Sequence, residues 1–215
     1  MLDAWTRGWK DSLFDPAGRL CARLAPAAAY TWAGLAAGAA AAAAAASGRF
    51  ILAFGLWVLN RILDGLDGVA ARVSGTQGDA GAYLDILCDF AVYAAIPIAL
   101  AFRLGGAAVL VTLVLLGVFY VNAATWMYLS ALLEKRGVGS RASGESTSIT
   151  MPRGLVGGTE TVLFYSAFLL FPGIYGYLAG AMAGLTLLGS LLRARAGMRL
   201  LAAPGRDAQG GGNAD

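Results

Sequence analysis

Residues 50–72, FILAFGLWVLNRILDGLDGVAAR, and residues 79–102, DAGAYLDILCDFAVYAAIPIALAF, are two apolar stretches that together decide the fold. Each is long enough to cross a bilayer as a helix, because a membrane span needs roughly 20 predominantly apolar residues. The short segment between them favours an antiparallel pair of helices. Both stretches also carry aspartates, which are costly within a span and therefore point to function.

The four aspartates of this hairpin are placed to meet. Asp64 and Asp67 are three residues apart, and Asp85 and Asp89 are four apart. Both spacings put the two side chains of a pair on one helix face, about 5–6 Å from each other. Each pair lies near the connecting loop, residues 73–78. The hairpin therefore brings four carboxylates to a common depth.

Four neighbouring carboxylates repel one another in a low dielectric, so they need cations or protons. The chain has no histidine, and its two cysteines form no CxxC pair. Two divalent cations held by oxygen ligands satisfy these conditions. The alternative is a set of buried, partly protonated aspartates that stabilise helix packing.

The composition of the whole chain is typical of a membrane protein. Its 215 residues are 58% hydrophobic and 13% charged, about half the charged share of an ordinary soluble domain. The high apolar content excludes a disordered chain, and the 30 glycines show no strict period of three, which excludes a collagen-like repeat. We predict an all-α polytopic membrane protein with six transmembrane helices. The candidate spans are residues 26–46, 49–72, 79–102, 106–133, 154–171 and 174–192.

The lysines and arginines predict the topology. Thirteen of the 16 basic residues fall on one side of the six predicted spans: before the first, after the second, between the fourth and fifth, and after the sixth. The positive-inside rule then places both termini in the cytoplasm of a multi-pass inner-membrane protein. The excess of lysine and arginine on the cytoplasmic side accounts for the net charge of +3. We therefore expect no nucleic-acid partner.

The two ends of the chain are expected to lie outside the bilayer core. Leu2, Trp5, Trp9 and Leu13 recur at helical spacing between charged residues, which predicts an interfacial amphipathic helix. A cleaved signal peptide fits poorly, because acids and tryptophans precede a very long apolar region. The predicted segments are 1–24 (interfacial), 25–197 (six-helix membrane domain) and 198–215 (disordered cytoplasmic tail).

The acidic hairpin resembles a known family signature. Asp64-Gly65-Leu66-Asp67-Gly68-Val69-Ala70-Ala71-Arg72 is followed after eight residues by Gly81, and then by Asp85 and Asp89. The pattern of the CDP-alcohol phosphotransferase, or CDP-alcohol phosphatidyltransferase, family is D-x-x-D-G-x-x-A-R, eight residues, then G-x-x-x-D-x-x-x-D. All eight fixed positions match.

The resemblance implies a reaction, a location and a set of partners. A CDP-linked lipid donor, often CDP-diacylglycerol, gives its phosphatidyl group to a small alcohol acceptor and releases CMP. The active site would lie at the cytoplasmic face, and the enzyme would be a homodimer in the lipid bilayer, as is usual in the family. The family also has an N-terminal interfacial helix and six transmembrane helices.

The resemblance also implies roles for the motif residues. Asp64, Asp67 and Asp85 would bind two divalent metal ions, Mg or Mn, with Asp89 near the second ion. Asp89 would also be the catalytic base that takes the proton of the acceptor hydroxyl. The cytidine nucleotide would contact Gly68, Ala71, Arg72 and Gly81.

The small and basic residues of the motif also suit structural roles. Glycines within membrane helices commonly serve helix packing, although glycine also lets a ligand approach the backbone. Arg72 suits a phosphate, but it is also placed as an interface anchor. We expect both roles for the glycines.

The acceptor site is predicted less sharply than the donor site. Arg153 lies at the start of the fifth span and suits a phosphorylated acceptor such as glycerol 3-phosphate or inositol phosphate. Glu160 lies seven residues later and suits an amine-bearing acceptor such as serine. A third interpretation pairs Glu160 with Arg61 in a structural role.

Two other classes of membrane protein use intramembrane aspartates. An Asp-rich prenyltransferase would be longer, with two similar Asp-rich repeats. A small cation transporter would carry internal repeats and charges near the midplane. The single motif at one end of a hairpin favours the phosphotransferase.

Overall fold

The computed structural model describes residues 24–137 and 155–202. These residues form six α-helices and a 3₁₀ turn, and within them there is no β-strand. The predicted interfacial helix over residues 2–13 and Arg153 lie outside the described residues. The elements are α1 (Ala27–Ala46), α2 (Phe50–Ser74), α3 (Asp79–Leu104), α4 (Ala107–Lys135), α5 (Gly158–Leu170), the turn Pro172–Ile174 and α6 (Tyr175–Ala202).

Four segments are long and apolar enough to cross a membrane: α1, α3, α4 and Pro172–Ala202. Helix α2 has 25 residues, but charged side chains interrupt its apolar run. Helix α5 has 13 residues, about 20 Å at 1.5 Å per residue, which is shorter than the roughly 30 Å hydrocarbon core. The all-helical class is confirmed, whereas a count of six spans stays a prediction.

Helix α6 extends beyond the predicted end of the membrane domain at residue 197. It continues to Ala202, so residues 198–202 are helical rather than part of a disordered tail. The sequence Met-Arg-Leu-Leu-Ala at this point consists of strong helix formers.

The described chain divides into two units by its contacts. The first contains residues 24–116 and 157–181, and the second contains 117–137, 155–156 and 182–202. All four motif aspartates belong to the first unit.

In the first unit, α1 packs against α2 and α3 through small residues. Ala41 and Ala45 of its alanine tract are fully buried, so this part of the helix packs on protein. Gly38 allows the closest approach, because a Cβ there would lie 2.4 Å from Val92 Cγ2. Helix α1 thus packs against both helices of the α2–α3 hairpin.

An aromatic cluster packs beside the same hairpin in the first unit. Trp57 of α2 stacks on Tyr165 of α5 with ring centroids 5.2 Å apart, and both side chains are fully buried. The Trp57 indole donates a hydrogen bond to Ser166 at 3.2 Å. Tyr165 donates from its hydroxyl to the backbone carbonyl of Tyr93 on α3. These contacts hold α2, α3 and α5 together.

The loop of the hairpin is short and closed by a glycine. Gly75 follows α2 with φ +66°, a left-handed conformation that glycine adopts without strain. The Thr76 amide donates to the Ala71 carbonyl at 3.0 Å and closes the helix end. Helix α3 begins at Asp79. The predicted antiparallel hairpin is confirmed.

The second unit contains a polar cluster of its own. Asn122 Oδ1 accepts hydrogen bonds from Ser190 Oγ and from Arg193 Nη1, each at 3.0 Å. Arg193 is buried, and its Nε has no hydrogen-bond partner in the described part of the chain. In the sequence analysis, Arg193 served only as one of the basic residues that predict the membrane topology.

Candidate active site

Asp67 is the most deeply buried of the motif aspartates. Its side chain lies on the face of α2 that packs against α1, and the residue is 7% exposed. Thr31 of α1 donates a hydrogen bond from Oγ1 to Asp67 Oδ2 at 2.8 Å. A neutral hydroxyl therefore fixes the orientation of this carboxylate.

Asp64 and Asp89 are joined by an arginine. Arg61 Nη2 lies 2.7 Å from Asp89 Oδ1, and Arg61 Nη1 lies 3.5 Å from Asp64 Oδ2. The first contact connects α2 to α3, whereas the second stays within α2 at an i, i+3 spacing. The Arg61 side chain is 13% exposed, and that of Asp89 is 27% exposed. The guanidinium thus brings one aspartate from each pair to the same place.

The Arg61 guanidinium is itself held on several sides. Its Nε donates to Asn60 Oδ1 at 2.8 Å, and its Nη1 donates to the Tyr93 hydroxyl at 2.9 Å. Asn60 is anchored in turn, because its Nδ2 donates to the Gly34 carbonyl at 2.8 Å. The guanidinium carbon lies 4.8 Å from the Trp57 ring centroid and 5.2 Å from that of Tyr93, within the range of cation–π attraction.

One carboxylate oxygen of Asp85 has no hydrogen-bond partner among the described residues. Its Oδ1 is buried and accepts no hydrogen bond from the described residues. A buried polar atom without a partner is costly, and in a native protein it commonly marks the place of a bound ion or water. Asp85 is therefore the clearest indication that the cluster takes a ligand.

The carboxylate cluster fits a hard divalent cation by its chemistry. The described residues contain no group of three or more acidic or sulfur side chains already arranged around one ion. Asp64 and Asp89 instead face Arg61, and Asp67 faces Thr31. The donors are nevertheless all carboxylate oxygens, which Mg²⁺ and Mn²⁺ prefer, and Asp85 Oδ1 is without a partner.

The glycines beside the aspartates face open space rather than another helix. A Cβ built on Gly65 or Gly81 would meet no described atom within 4 Å, and at Gly68 it would meet only the tip of Arg72, at 3.6 Å. Gly38, by contrast, is required for packing against Val92. The motif glycines therefore do not serve close packing within the described part of the chain.

Residues 24–192 match the family model for CDP-alcohol phosphatidyltransferase. The chain belongs to this family. It is therefore a transferase of phospholipid biosynthesis, acting on a CDP-linked substrate at a membrane. Asp64 through Asp89 lie within the matched region.

Two proteins are similar to this phosphatidyltransferase. Inner membrane protein YnjF of Escherichia coli strain K12 is 32% identical over 142 residues, which are 66% of this chain and 68% of that protein. The crystal structure of Mycobacterium tuberculosis phosphatidylinositol phosphate synthase (PgsA1) with CDP-DAG bound has the same fold, with a TM-score of 0.67 at 18% identity. That match covers 85% of this chain and 92% of the other. The apolar helices and the relative agree on a multi-pass inner-membrane protein.

Of the two residues predicted to bind the acceptor of the phosphatidyltransferase, Glu160 lies within the described residues and Arg153 lies outside them. Glu160 is in the first turn of α5, and its Oε2 accepts a hydrogen bond from the Gly157 amide at 3.1 Å. The interpretation that pairs Glu160 with Arg61 is wrong, because Arg61 forms its ion pairs with Asp64 and Asp89.

Three residues that contact the aspartates or Arg61 were not assigned to the site from the sequence. Thr31 is 36 residues from Asp67, and no local pattern connects the two. Asn60 and Tyr93 surround Arg61, and only the four-residue spacing from Asp89 to Tyr93 hints at a shared helix face. All three are polar residues within predicted spans, which is the signal that was available.

Proposed function

We propose that this enzyme transfers the phosphatidyl group of CDP-diacylglycerol to a small alcohol and releases CMP. The observation that carries the proposal is the meeting of Asp64 and Asp89, from the two helices of the motif, at one guanidinium. The similar PgsA1 structure, which has CDP-DAG bound, supports this choice of donor.

Asp64, Asp67, Asp85 and Asp89 would hold two divalent cations, Mg²⁺ or Mn²⁺. When bound, these ions neutralise charge that develops on the departing nucleotide phosphate. The partnerless Oδ1 of Asp85 supports a ligand role for that residue. Thr31 supports Asp67 from outside the cluster, as residues behind a metal ligand commonly do.

Asp89 would act as the general base. The acceptor hydroxyl gives its proton to the Asp89 carboxylate while its oxygen forms a bond to the phosphorus of the phosphatidyl group. The bond from that phosphorus to the bridging oxygen of CMP breaks, and CMP leaves. Asp89 is partly exposed and fixed through Oδ1 by Arg61, which suits a base that must reach a substrate.

Gly68, Ala71, Arg72 and Gly81 would contact the cytidine nucleotide. Arg72 is exposed in the last turn of α2, where its guanidinium can approach the donor diphosphate. These residues lie at the loop end of the hairpin. We place that end, with both termini, at the cytoplasmic face, and we expect a homodimer.

The acceptor is glycerol 3-phosphate, inositol phosphate or serine. The contact of Glu160 with the Gly157 amide gives that carboxylate a helix-capping role and weakens the case for a serine ammonium. We therefore place the two phosphorylated alcohols first, with Arg153 as the residue that would bind the acceptor phosphate.

The decisive assay supplies the purified enzyme with CDP-diacylglycerol, Mg²⁺ and each alcohol in turn. CMP is quantified, and the lipid product is identified by mass spectrometry. We expect one alcohol to give CMP and a new phosphatidyl lipid in equal amounts. If no alcohol supports CMP release, and CDP-alcohols with diacylglycerol also give none, the proposed function is wrong.

A further inference from the structure

Arg61 lies on the far side of the aspartates from the connecting loop. It precedes Asp64 by three residues on α2, and Tyr93 follows Asp89 by four residues on α3. At 1.5 Å per residue, this places Arg61 and Tyr93 about 4.5–6 Å deeper along the hairpin than those two aspartates. The donor-binding candidates Arg72 and Gly81 lie in the opposite direction, toward the loop.

The contacts of Arg61 leave its guanidinium little freedom. Its Nε, Nη1 and Nη2 donate to Asn60, Tyr93 and Asp89 respectively. The rings of Trp57 and Tyr93 lie within cation–π range of it. Since the planar fork of an arginine fixes the direction of its donors, the position of the guanidinium dictates where its partner carboxylate can lie.

Asp89 Oδ1 receives the shortest of these contacts, at 2.7 Å. The side chain of Asp89 keeps 27% of its exposure, so the guanidinium holds the carboxylate without covering it. A substrate-binding arginine would need donors that point to open space. Three donors of Arg61 are instead used by Asn60, Tyr93 and Asp89, and its Nη1 also lies 3.5 Å from Asp64 Oδ2.

We propose that Arg61 is the positioning residue of Asp89. It holds the carboxylate from the side away from the connecting loop, so that the carboxylate meets the acceptor hydroxyl. The inference rests on the proposed function, because it requires Asp89 to be the base. It assigns to Arg61 no contact with either substrate. Its consequence is a defect in the chemical step rather than in donor binding.

The test measures kcat and KM for CDP-diacylglycerol in Arg61→Met, Arg61→Lys and the wild type. Arg61→Met should lower kcat about a hundredfold, the size of effect expected when a reacting group is displaced by about 1 Å. The KM for the donor should stay within about twofold of wild type. Arg61→Lys keeps the charge but loses the fork, and it should recover part of the activity, to about tenfold below wild type.

Two further variants separate positioning from general damage. Tyr93→Phe removes the hydroxyl that receives Arg61 Nη1 and keeps the ring, so it should lower kcat by a few-fold, again without raising KM. Arg103→Met is the matched control, because Arg103 is an exposed arginine in the last turn of α3; it should keep wild-type kcat. Donor binding is checked independently by the rise in melting temperature that CDP-diacylglycerol produces in each variant.

The outcomes are distinguishable. If wild-type enzyme gives no CMP in any assay, the proposed function fails whatever Arg61 does. If wild type is active and Arg61→Met keeps its kcat, or loses donor binding in step with turnover, the positioning role is wrong. If Arg61→Met fails to fold in detergent, Arg61→Lys and Tyr93→Phe decide by the same split between kcat and KM.

Discussion

The four aspartates of the α2–α3 hairpin lie at two distances from the connecting loop, and the two pairs have different hydrogen-bond and ion-pair partners. Asp64 and Asp89 form the deep level, where Arg61 supplies a cation to both. Asp67 and Asp85 form the loop-side level, one residue from each helix. There Asp67 has the neutral hydroxyl of Thr31, and Asp85 Oδ1 has no hydrogen-bond partner among the described residues.

The two pairs of aspartates therefore differ in whether side chains of the protein itself compensate their charge. The deep level is fixed by α1, α2 and α3 through Asn60, Arg61 and Tyr93. The ion pairs of Arg61 go to Asp64 and Asp89, whereas Asp67 and Asp85 of the loop-side level form no ion pair with a described side chain. Because uncompensated buried charge is costly, we infer that the loop-side level is completed by divalent cations and by the substrate that they bind.

The largest expected effect comes from the deep level. Asp89→Asn keeps the size of the side chain and its contact with Arg61 through the amide oxygen, but it removes the base. We expect kcat to fall about a thousandfold, within the range attributed to general bases. CMP release measures it. Asp79→Asn, an exposed position at the start of α3, is the matched control; equal activity of Asp89→Asn and this control would contradict the assignment.

The next effect tests the loop-side level. Asp85→Asn removes the charge of the partnerless carboxylate, so the enzyme should need more than about tenfold more Mg²⁺ for half-maximal CMP release. Chelation should abolish the release in wild type, and added Mg²⁺ should restore it. An unchanged Mg²⁺ requirement in Asp85→Asn would remove this residue from the metal site.

A smaller effect is expected from the residue behind Asp67. Thr31→Val keeps the shape of the side chain and removes the hydroxyl that donates to Asp67 Oδ2. The Mg²⁺ requirement should rise about tenfold, as is typical when the partner of a metal ligand is lost. Thr125→Val on α4, whose hydroxyl bonds to the Asn122 carbonyl one turn away, is the control. A stability loss without any change in the Mg²⁺ requirement would make Thr31 purely structural.

The smallest expected effect on activity comes from a glycine near the loop, Gly81, which we compare with the packing glycine Gly38. Gly81→Ala meets no described atom within 4 Å, so the melting temperature should hold while KM for the donor rises a few-fold. Gly38→Ala would drive a Cβ into Val92 and should cost about 1–3 kcal/mol of stability. Thermal unfolding and donor titration of both variants check this contrast; a destabilised Gly81→Ala would indicate packing at that position.

The sequence predicted the hairpin because its signals are local. Apolar length, the loop at residues 73–78 and the aspartate spacings each follow from helix geometry. The end of α6 at Ala202 was missed because charged residues in its last turns look like a solvent-exposed tail, although they are good helix formers.

Contacts between helices were not predictable in the same way. One of three interpretations of Glu160 paired it with Arg61, whereas Arg61 bridges Asp64 and Asp89. The i, i+3 spacing to Asp64 was visible, but the residue of α3 that faces Arg61 depends on the rotation of that helix. Thr31 reaches Asp67 only because small residues let α1 approach α2 closely. Such contacts arise from packing, which a single sequence does not encode locally.

We propose that the aspartate hairpin performs metal-dependent phosphatidyl transfer. The most direct measurement quantifies CMP and phosphatidyl product together, from CDP-diacylglycerol and the active alcohol, for wild type and Asp89→Asn with Mg²⁺ or with a chelator. We predict equal amounts of the two products from wild type with Mg²⁺, and loss of both in the variant and under chelation. Undiminished transfer by Asp89→Asn, or by wild type without divalent cations, would contradict the account.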